Sequence, residues 1–260
     1  MSKTLEIIIC GFTGRMGQAI AKVALQDPNI KNIGATSRTS SAKVSESLAA
    51  AITSAKISAG SKPVIIDFSH TDCTVANAQT AAKHKLPLIV GSTGLQDEQF
   101  AALEKAAKQI PVLVAPNMSL GANVLYALTR LTARLLGNAD VEISEIHHRG
   151  KKDCPSGTAY NLAKIVAEAR NQDLKKQLVV HRDSQGPRKP GEIGVSGLRG
   201  GTAKGDHSVY FFSENESIEL KHHVEDLAVF AQGALKAAWY LATQKAGLHN
   251  MMDVLGIKTL

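Results

Sequence analysis

Leu5-Glu6-Ile7-Ile8-Ile9-Cys10-Gly11-Phe12-Thr13-Gly14-Arg15-Met16-Gly17 begins as a compact apolar, β-branched run, breaks into glycines with GxxGxxG spacing, and passes into a helical pattern from Ala19 to Leu25. This is a strand, a glycine turn and a helix. Glycines let the backbone turn tightly and approach a pyrophosphate, while a new helix offers unpaired N–H groups and the positive end of its dipole. A second run, Asn32 to Thr36, ends where the adenosine ribose lies in a βαβ unit.

Working outward, further strands are expected at Pro63 to Phe68, Leu86 to Val90 and Val112 to Ala115, each followed by a helix-like segment. The βα rhythm predicts a doubly wound, parallel, Rossmann-type sheet. In such sheets ligands bind at the carboxyl ends of the strands, which places Asp67-Phe68-Ser69-His70, Gly91-Ser92-Thr93-Gly94 and Ala115-Pro116-Asn117-Met118-Ser119 on the nicotinamide side.

The end of the second strand reads Thr36-Ser37-Arg38-Thr39-Ser40, and no Asp or Glu occurs between Pro28 and Val44. The acid that grips both ribose hydroxyls of NAD is therefore missing from this turn. A guanidinium flanked by hydroxyls suits a 2′-phosphate, because its planar fork matches phosphate oxygens. NADPH is the preferred cofactor on this reading, with NADH still possible.

In the second half, Leu120 to Leu136 reads as one long amphipathic helix, and Val141 to His147 alternates like a strand delivering His147 and His148 to its end. Adjacent histidines on a strand point to opposite faces, which argues against a joint metal site. Pro155 and Ser156 suit the start of a helix running to about Ala169, whose first amides can receive a carboxylate. From His181 to Asp206 the chain is rich in Gly, Pro and basic residues. Strands resume at Ser208 to Phe212 and Ser217 to His222, and Leu227 to Ala242 is helical again. The expected fold is α/β. Residues 1–118 with 228–260 form a dinucleotide-binding domain, and 119–227 form a substrate-binding and oligomerisation domain of α+β type on an open mixed sheet. Such a sheet must cover its free face and edges, which makes self-association reasonable.

Composition fits this frame. The 260 residues are 44% hydrophobic and only 4% aromatic, with a formal charge of +7. The Lys and Arg are spread along the chain without aromatic interleaving, so anionic small molecules account for the charge better than a nucleic acid does. Three isolated cysteines suggest neither a disulfide framework nor a thiolate metal site, and no segment reaches the roughly 20 apolar residues of a membrane span. A cytoplasmic protein without metal is expected.

The segment Glu145-Ile146-His147-His148-Arg149-Gly150-Lys151-Lys152-Asp153-Cys154-Pro155-Ser156-Gly157-Thr158-Ala159 matches E-x-H-H-x-x-K-x-D-x-P-S-G-T-A without a gap. With the Gly-Arg-Met-Gly, Gly-Ser-Thr-Gly and Ala-Pro-Asn-Met-Ser loops in the same order, the chain resembles the 4-hydroxy-tetrahydrodipicolinate reductase family, also called dihydrodipicolinate reductases. The resemblance implies reduction of a cyclic dicarboxylate, hydroxylated or dehydrated, to tetrahydrodipicolinate in lysine and diaminopimelate biosynthesis, with hydride from NAD(P)H, by a homotetramer. It implies that His147 is the general acid and that Lys151 pairs with a carboxylate and assists protonation, leaving open which of the two delivers the proton. His148 would contact substrate, and Gly157 and Thr158 would bind the other carboxylate. Gly11, Phe12, Thr13, Gly14, Arg15, Met16, Arg38, Gly91, Ser92, Thr93, Ala115, Pro116, Asn117 and Met118 would hold the cofactor. Ser37 stands where relatives often carry an acid, Met118 where Phe is frequent, and Leu227 near a frequent Arg. Two rival readings are a cofactor-sensing regulator that has lost catalysis, and an aldehyde dehydrogenase using Cys154.

Overall fold

The computed structural model describes residues 4–38, 44–182 and 186–257; Thr39 and Ser40 of the ribose turn lie outside them. In chain order the elements are β1 (Leu5–Cys10), α1 (Arg15–Ala24), β2 (Ile30–Thr36), α2 (Leu48–Ser54), β3 (Val64–Asp67), α3 (Thr74–His84), β4 (Leu88–Val90), α4 (Asp97–Ala107) and β5 (Pro111–Val114). There follow α5 (Leu120–Leu135), β6 (Asp140–His147), α6 (Gly157–Ala169), α7 (Leu174–Gln177), β7 (Leu178–Val180), β8 (Ile193–Arg199), β9 (Asp206–Phe212), β10 (Ser217–His223), α8 (Ala228–Leu241), β11 (Gly247–His249) and α9 (Met251–Leu255). The chain divides into two compact units, one of Met1–Leu120 with Ala228–Gly256 and one centred on Gly121–Leu227.

The first unit holds a six-stranded sheet in the order β11-β5-β4-β3-β1-β2, every neighbouring pair parallel. The strands are apolar on both faces because helices cover both faces. Period-two alternation then sorts residues into two cores. Ile7, Ile9, Ile66, Ile89 and Leu113 pack with α1 and α8 on one side, while Ile8, Cys10, Ile65, Val90 and Val112 pack with α2, α3 and α4 on the other. Each fully buried Ile or Leu contributes about 1.5–3 kcal/mol by leaving water. The crossover from β1 leads to β2 on one flank, and β3 lies on the other flank of β1, so the strand order switches direction there. That switch point opens a crevice at the strand ends.

Glycine is required where the chain leaves β1. Gly11 has φ +79°, and a Cβ there would sit 2.6 Å from the Phe68 carbonyl oxygen. A Cβ on Gly17 would lie 2.4 Å from the Gly11 carbonyl oxygen, so the loop folds over the helix start with room for hydrogen alone.

The second unit carries a five-stranded sheet in the order β10-β9-β6-β8-β7. The central β6 runs parallel to β8 and antiparallel to β9, so the sheet is mixed. In β6 the residues Val141, Ile143, Glu145 and His147 are buried in alternation, aligned with Ile193 and Val195 of β8 and Val209 and Phe211 of β9. On the opposite face Leu198 and Phe212 are exposed. Two features differ from the expectation. The Gly-rich stretch after His181 contains β8, and short strands β7 and β11 complete the sheet edges. Gly194 and Gly197 hide β8 from a pattern search; the space a Cβ would take is filled by the Glu142 carboxylate at Gly194 and by the Cys154 sulfur, 2.4 Å away, at Gly197.

Candidate functional site

Each unit holds one cluster of the expected residues. In the first, a cleft of about 470 Å³ opens at the carboxyl ends of the parallel strands. It is lined by Gly14, Arg15 and Met16 of the glycine turn, Phe68 to Thr71 after β3, Gly91 to Thr93 after β4, Pro116 and Met118 after β5, and Phe230 of α8. Gly14 caps α1 without a side-chain hydrogen bond, so the first turn of that helix has no internal acceptor competing for its amides. Gly11 and Phe12 donate their N–H groups to the Thr36 carbonyl, which ties the turn to the end of β2. The Thr13 and Ser37 hydroxyls lie 2.7 Å apart, and Arg38 is exposed just beyond. Gly11, Phe12, Thr13, Arg38, Ala115 and Asn117 are not among the lining residues of the cleft; Ala115 is buried in the core and the Asn117 side chain accepts from the Ser119 N–H.

A polar chain built on the expected strand-end residues, together with Asn77, which the sequence did not single out, shapes the cleft. Asp67, fully buried at the end of β3, accepts from the Ser69 N–H at 2.8 Å, the Ser69 hydroxyl at 2.5 Å and the Asn77 amide at 2.8 Å. The Ser92 hydroxyl donates to the Ser69 carbonyl at 2.7 Å, joining the loops after β3 and β4. A Cβ on Gly91 would strike the Phe68 ring at 2.3 Å, so this loop too approaches to the limit of glycine.

In the second unit the end of β6 presents His147 inward, 9% exposed, and His148 outward, where its Nδ1 accepts from the Gly150 N–H. Glu145, two residues earlier and therefore on the same face, is fully buried. Its carboxylate accepts from Arg199 Nη1 at 2.8 Å, Arg199 Nη2 at 2.7 Å, the Ser156 N–H at 3.1 Å, and His147 Nδ1 in a very short contact. Burial raises the Glu145 pKa, but hydrogen bonds from Arg199 and His147 and their charges outweigh it and hold the carboxyl below its ordinary range. For His147 burial lowers the pKa, Glu145 opposes that, and the nearby Lys151 and Arg199 charges add to the fall, so the ring sits below its ordinary value.

Lys151 pairs with Asp153 at 2.9 Å, which lowers the Asp153 pKa. Ser156 caps α6 by accepting from the Ala159 N–H, so Gly157 and Thr158 form the first turn. The position of a Cβ on Gly157 is open space. Arg199, His207 and Gly205 were missed in the sequence; the Arg199-Gly200-Gly201 turn between two strands was the available signal. Among the described residues no His, Cys, Asp and Glu group has the arrangement to hold a metal, and no helix is long and apolar enough to cross a membrane.

A doubly wound parallel sheet with a glycine turn at its switch point, joined in one chain to a mixed sheet that buries a carboxylate-bound imidazole, defines a two-domain nicotinamide-dependent oxidoreductase. Models of the dihydrodipicolinate reductase N-terminus and C-terminus match residues 5–118 and 121–255. The chain belongs to the dihydrodipicolinate reductase family, whose members are NAD(P)H-dependent reductases of lysine biosynthesis. It is 39% identical to the 4-hydroxy-tetrahydrodipicolinate reductase of Myxococcus xanthus over 267 residues, and 44% identical to that of Zymomonas mobilis over 260 residues; both alignments cover 98% of each chain. A dipicolinate-bound dihydrodipicolinate reductase from Paenisporosarcina sp. TG-14 shares the fold with a TM-score of 0.79 at 21% identity, over 96% of this chain and 98% of that one.

Proposed function

We propose that this chain reduces the cyclic dicarboxylate 4-hydroxy-tetrahydrodipicolinate to tetrahydrodipicolinate, with NADPH preferred over NADH and His147 as the proton donor. The observation that carries the reading is the buried Glu145 carboxylate, which fixes His147, Arg199 and the start of α6 at once. The cleft of the first unit fits a dinucleotide, since two of its loops, the glycine turn and the loop of Gly91, pack as closely as glycine allows and an uncapped helix start faces it. The bound nicotinamide supplies the hydride. The glycine turn from Gly11 to Met16 and the loops Gly91 to Thr93 and Ala115 to Met118 hold it, and Arg38 takes the 2′-phosphate.

The His147 Nδ1–H donates to Glu145, which leaves Nε2 as the nitrogen that gains and loses the proton. Gly205 faces that atom: a Cβ built there would sit 3.1 Å from Nε2. In the free chain burial keeps the ring neutral near pH 7, and a dianionic substrate alongside favours the imidazolium, so the acid is charged when there is something to protonate. Lys151 exchanges its contact with Asp153 for a substrate carboxylate and assists the proton transfer. His148 contacts the substrate. The amides of Gly157 and Thr158 receive the second carboxylate at the positive end of α6.

The exposed Leu198 and Phe212 on one face of the second sheet support self-association, with a homotetramer the form proposed, and three cysteines free of disulfides suit a reducing cytoplasm. The deciding experiment follows NADPH absorbance on mixing the protein with freshly made product of an aldolase-type synthase, beside NADH and beside His147→Gln. Rapid oxidation is expected, with a loss of about 10²–10⁴-fold in the variant. Tight NADPH binding without oxidation would favour a cofactor-sensing regulator instead.

A further inference from the structure

On the proposed reductase reading, we infer that His207 is a positioning residue for the reaction, joining the general acid His147 to the carboxylate-binding start of α6. His207 lies on β9 opposite Glu145 in the sheet register, 60 residues from His147 in sequence but beside it in space, and is 5% exposed. Its ring meets that of His147 edge-on, with centroids 5.2 Å apart and planes at 73°. Its Nε2 lies 3.1 Å from the Ser156 hydroxyl oxygen.

Ser156 makes a second hydrogen bond through the same oxygen. It accepts from the Ala159 N–H as the cap of α6, and with a further lone pair and its own proton it pairs with His207 Nε2 in either tautomer of the ring. The other ring nitrogen, Nδ1, is buried and has no hydrogen-bond partner among the described residues. A buried polar atom without a partner costs stability, and such costs persist at sites that need a fixed geometry. The groups facing His207 are Glu145 and His147 from β6, Asp206 on its own strand and His222 from β10. Burial first, and then the His147 charge, holds its pKa down at about 4, so it stays neutral near pH 7. His207 presents one ring nitrogen to Ser156 and one ring edge to His147, and so positions the two against each other.

The test compares His207→Leu, His207→Gln and Ser156→Ala in steady-state kinetics and pH profiles, with thermal unfolding recorded for each. Gln places an amide that can donate or accept where Nε2 stands, and Leu does not. The expected result for His207→Leu is a fall in kcat/KM for the dicarboxylate of about tenfold or more, the scale of one lost buried hydrogen bond, with a displaced acidic limb and an unchanged KM for NADPH. His207→Gln should recover most of that loss, and combining His207→Leu with Ser156→Ala should be little worse than the poorer single variant. A folded His207→Leu enzyme with wild-type constants, or a Gln variant as impaired as Leu, would overturn the assignment. Wild-type protein that fails to oxidise NADPH with the dicarboxylate would instead overturn the reductase reading on which it rests.

Discussion

Arg199 and Glu145, 54 residues apart in sequence, meet as a two-point pair, Nη1 to Oε2 at 2.8 Å and Nη2 to Oε1 at 2.7 Å. Arg199 also donates to the Asp153 carbonyl at 2.7 Å, so the pair anchors the loop that carries Lys151 and leads to α6. One carboxylate thus organises strand end, loop and helix start.

Replacing that carboxylate should be costly. Glu145→Gln leaves the guanidinium without its counter-charge and His147 with only a neutral amide oxygen, and the expected destabilisation is about 1.5–3 kcal/mol, the scale of a hydrogen bond to a charged group. Urea unfolding measures it, and turnover should fall more than NADPH affinity. An unchanged unfolding midpoint would contradict the buried-charge account.

Acid should weaken the fold before it protonates ordinary carboxylates. The His207 imidazole is held at about 4 in the folded chain against an ordinary 6.5, so the unfolded chain binds the extra proton between those values. This contribution is complete above pH 6.5 and is lost as pH falls toward 4, with a full size of about 3 kcal/mol. His147, also lowered, acts in the same direction, and Glu145 adds its loss below 4.5. Unfolding free energies of wild type and His207→Gln, compared across this range, should converge as the pH drops.

Cofactor choice rests on Arg38. Arg38→Ala should raise the KM for NADPH by about tenfold, the worth of one charge-assisted contact, and leave that for NADH nearly unchanged. Equal effects on the two cofactors would remove the 2′-phosphate role.

The glycine turn offers a steric test. In Gly17→Ala the new methyl would lie 2.4 Å from the Gly11 carbonyl oxygen and 2.6 Å from the Phe12 Cα, both backbone atoms that cannot swing aside. A loss of about 1–3 kcal/mol is expected from the overpacking, together with weakened cofactor binding in titrations. Normal affinity in this variant would show that the loop can open.

What was legible in the sequence and what was not divides on physical grounds. The β1 run, its glycines and α1 were readable because the governing forces act between neighbours: apolar periodicity, tight turning and helix initiation. The opposed faces of His147 and His148 followed from strand pleating, and Ser156 from capping chemistry. The partners of His147 were not readable in the same way. Arg199 and His207 reach Glu145 through strand register, β8 on one side of β6 and β9 on the other, and register between distant segments leaves no local trace. Asp67 was visible as a strand-end residue, but its bond to Asn77 depends on how α3 lies against β3.

The chain leaves its first unit at Leu120 and returns to it at Ala228. The core beside β1 includes Ala231, Ala234, Ala237, Ala238 and Leu241 of the returning helix α8. A nascent chain emerging from the ribosome therefore holds an unfinished nucleotide unit, with one face of its sheet covered by α1 but not yet by α8, throughout the synthesis of the second unit. The first part of the protein to be made is among the last to close, and a message cut short just before α8 leaves the apolar surface that α8 would cover open to quality-control proteases and chaperones.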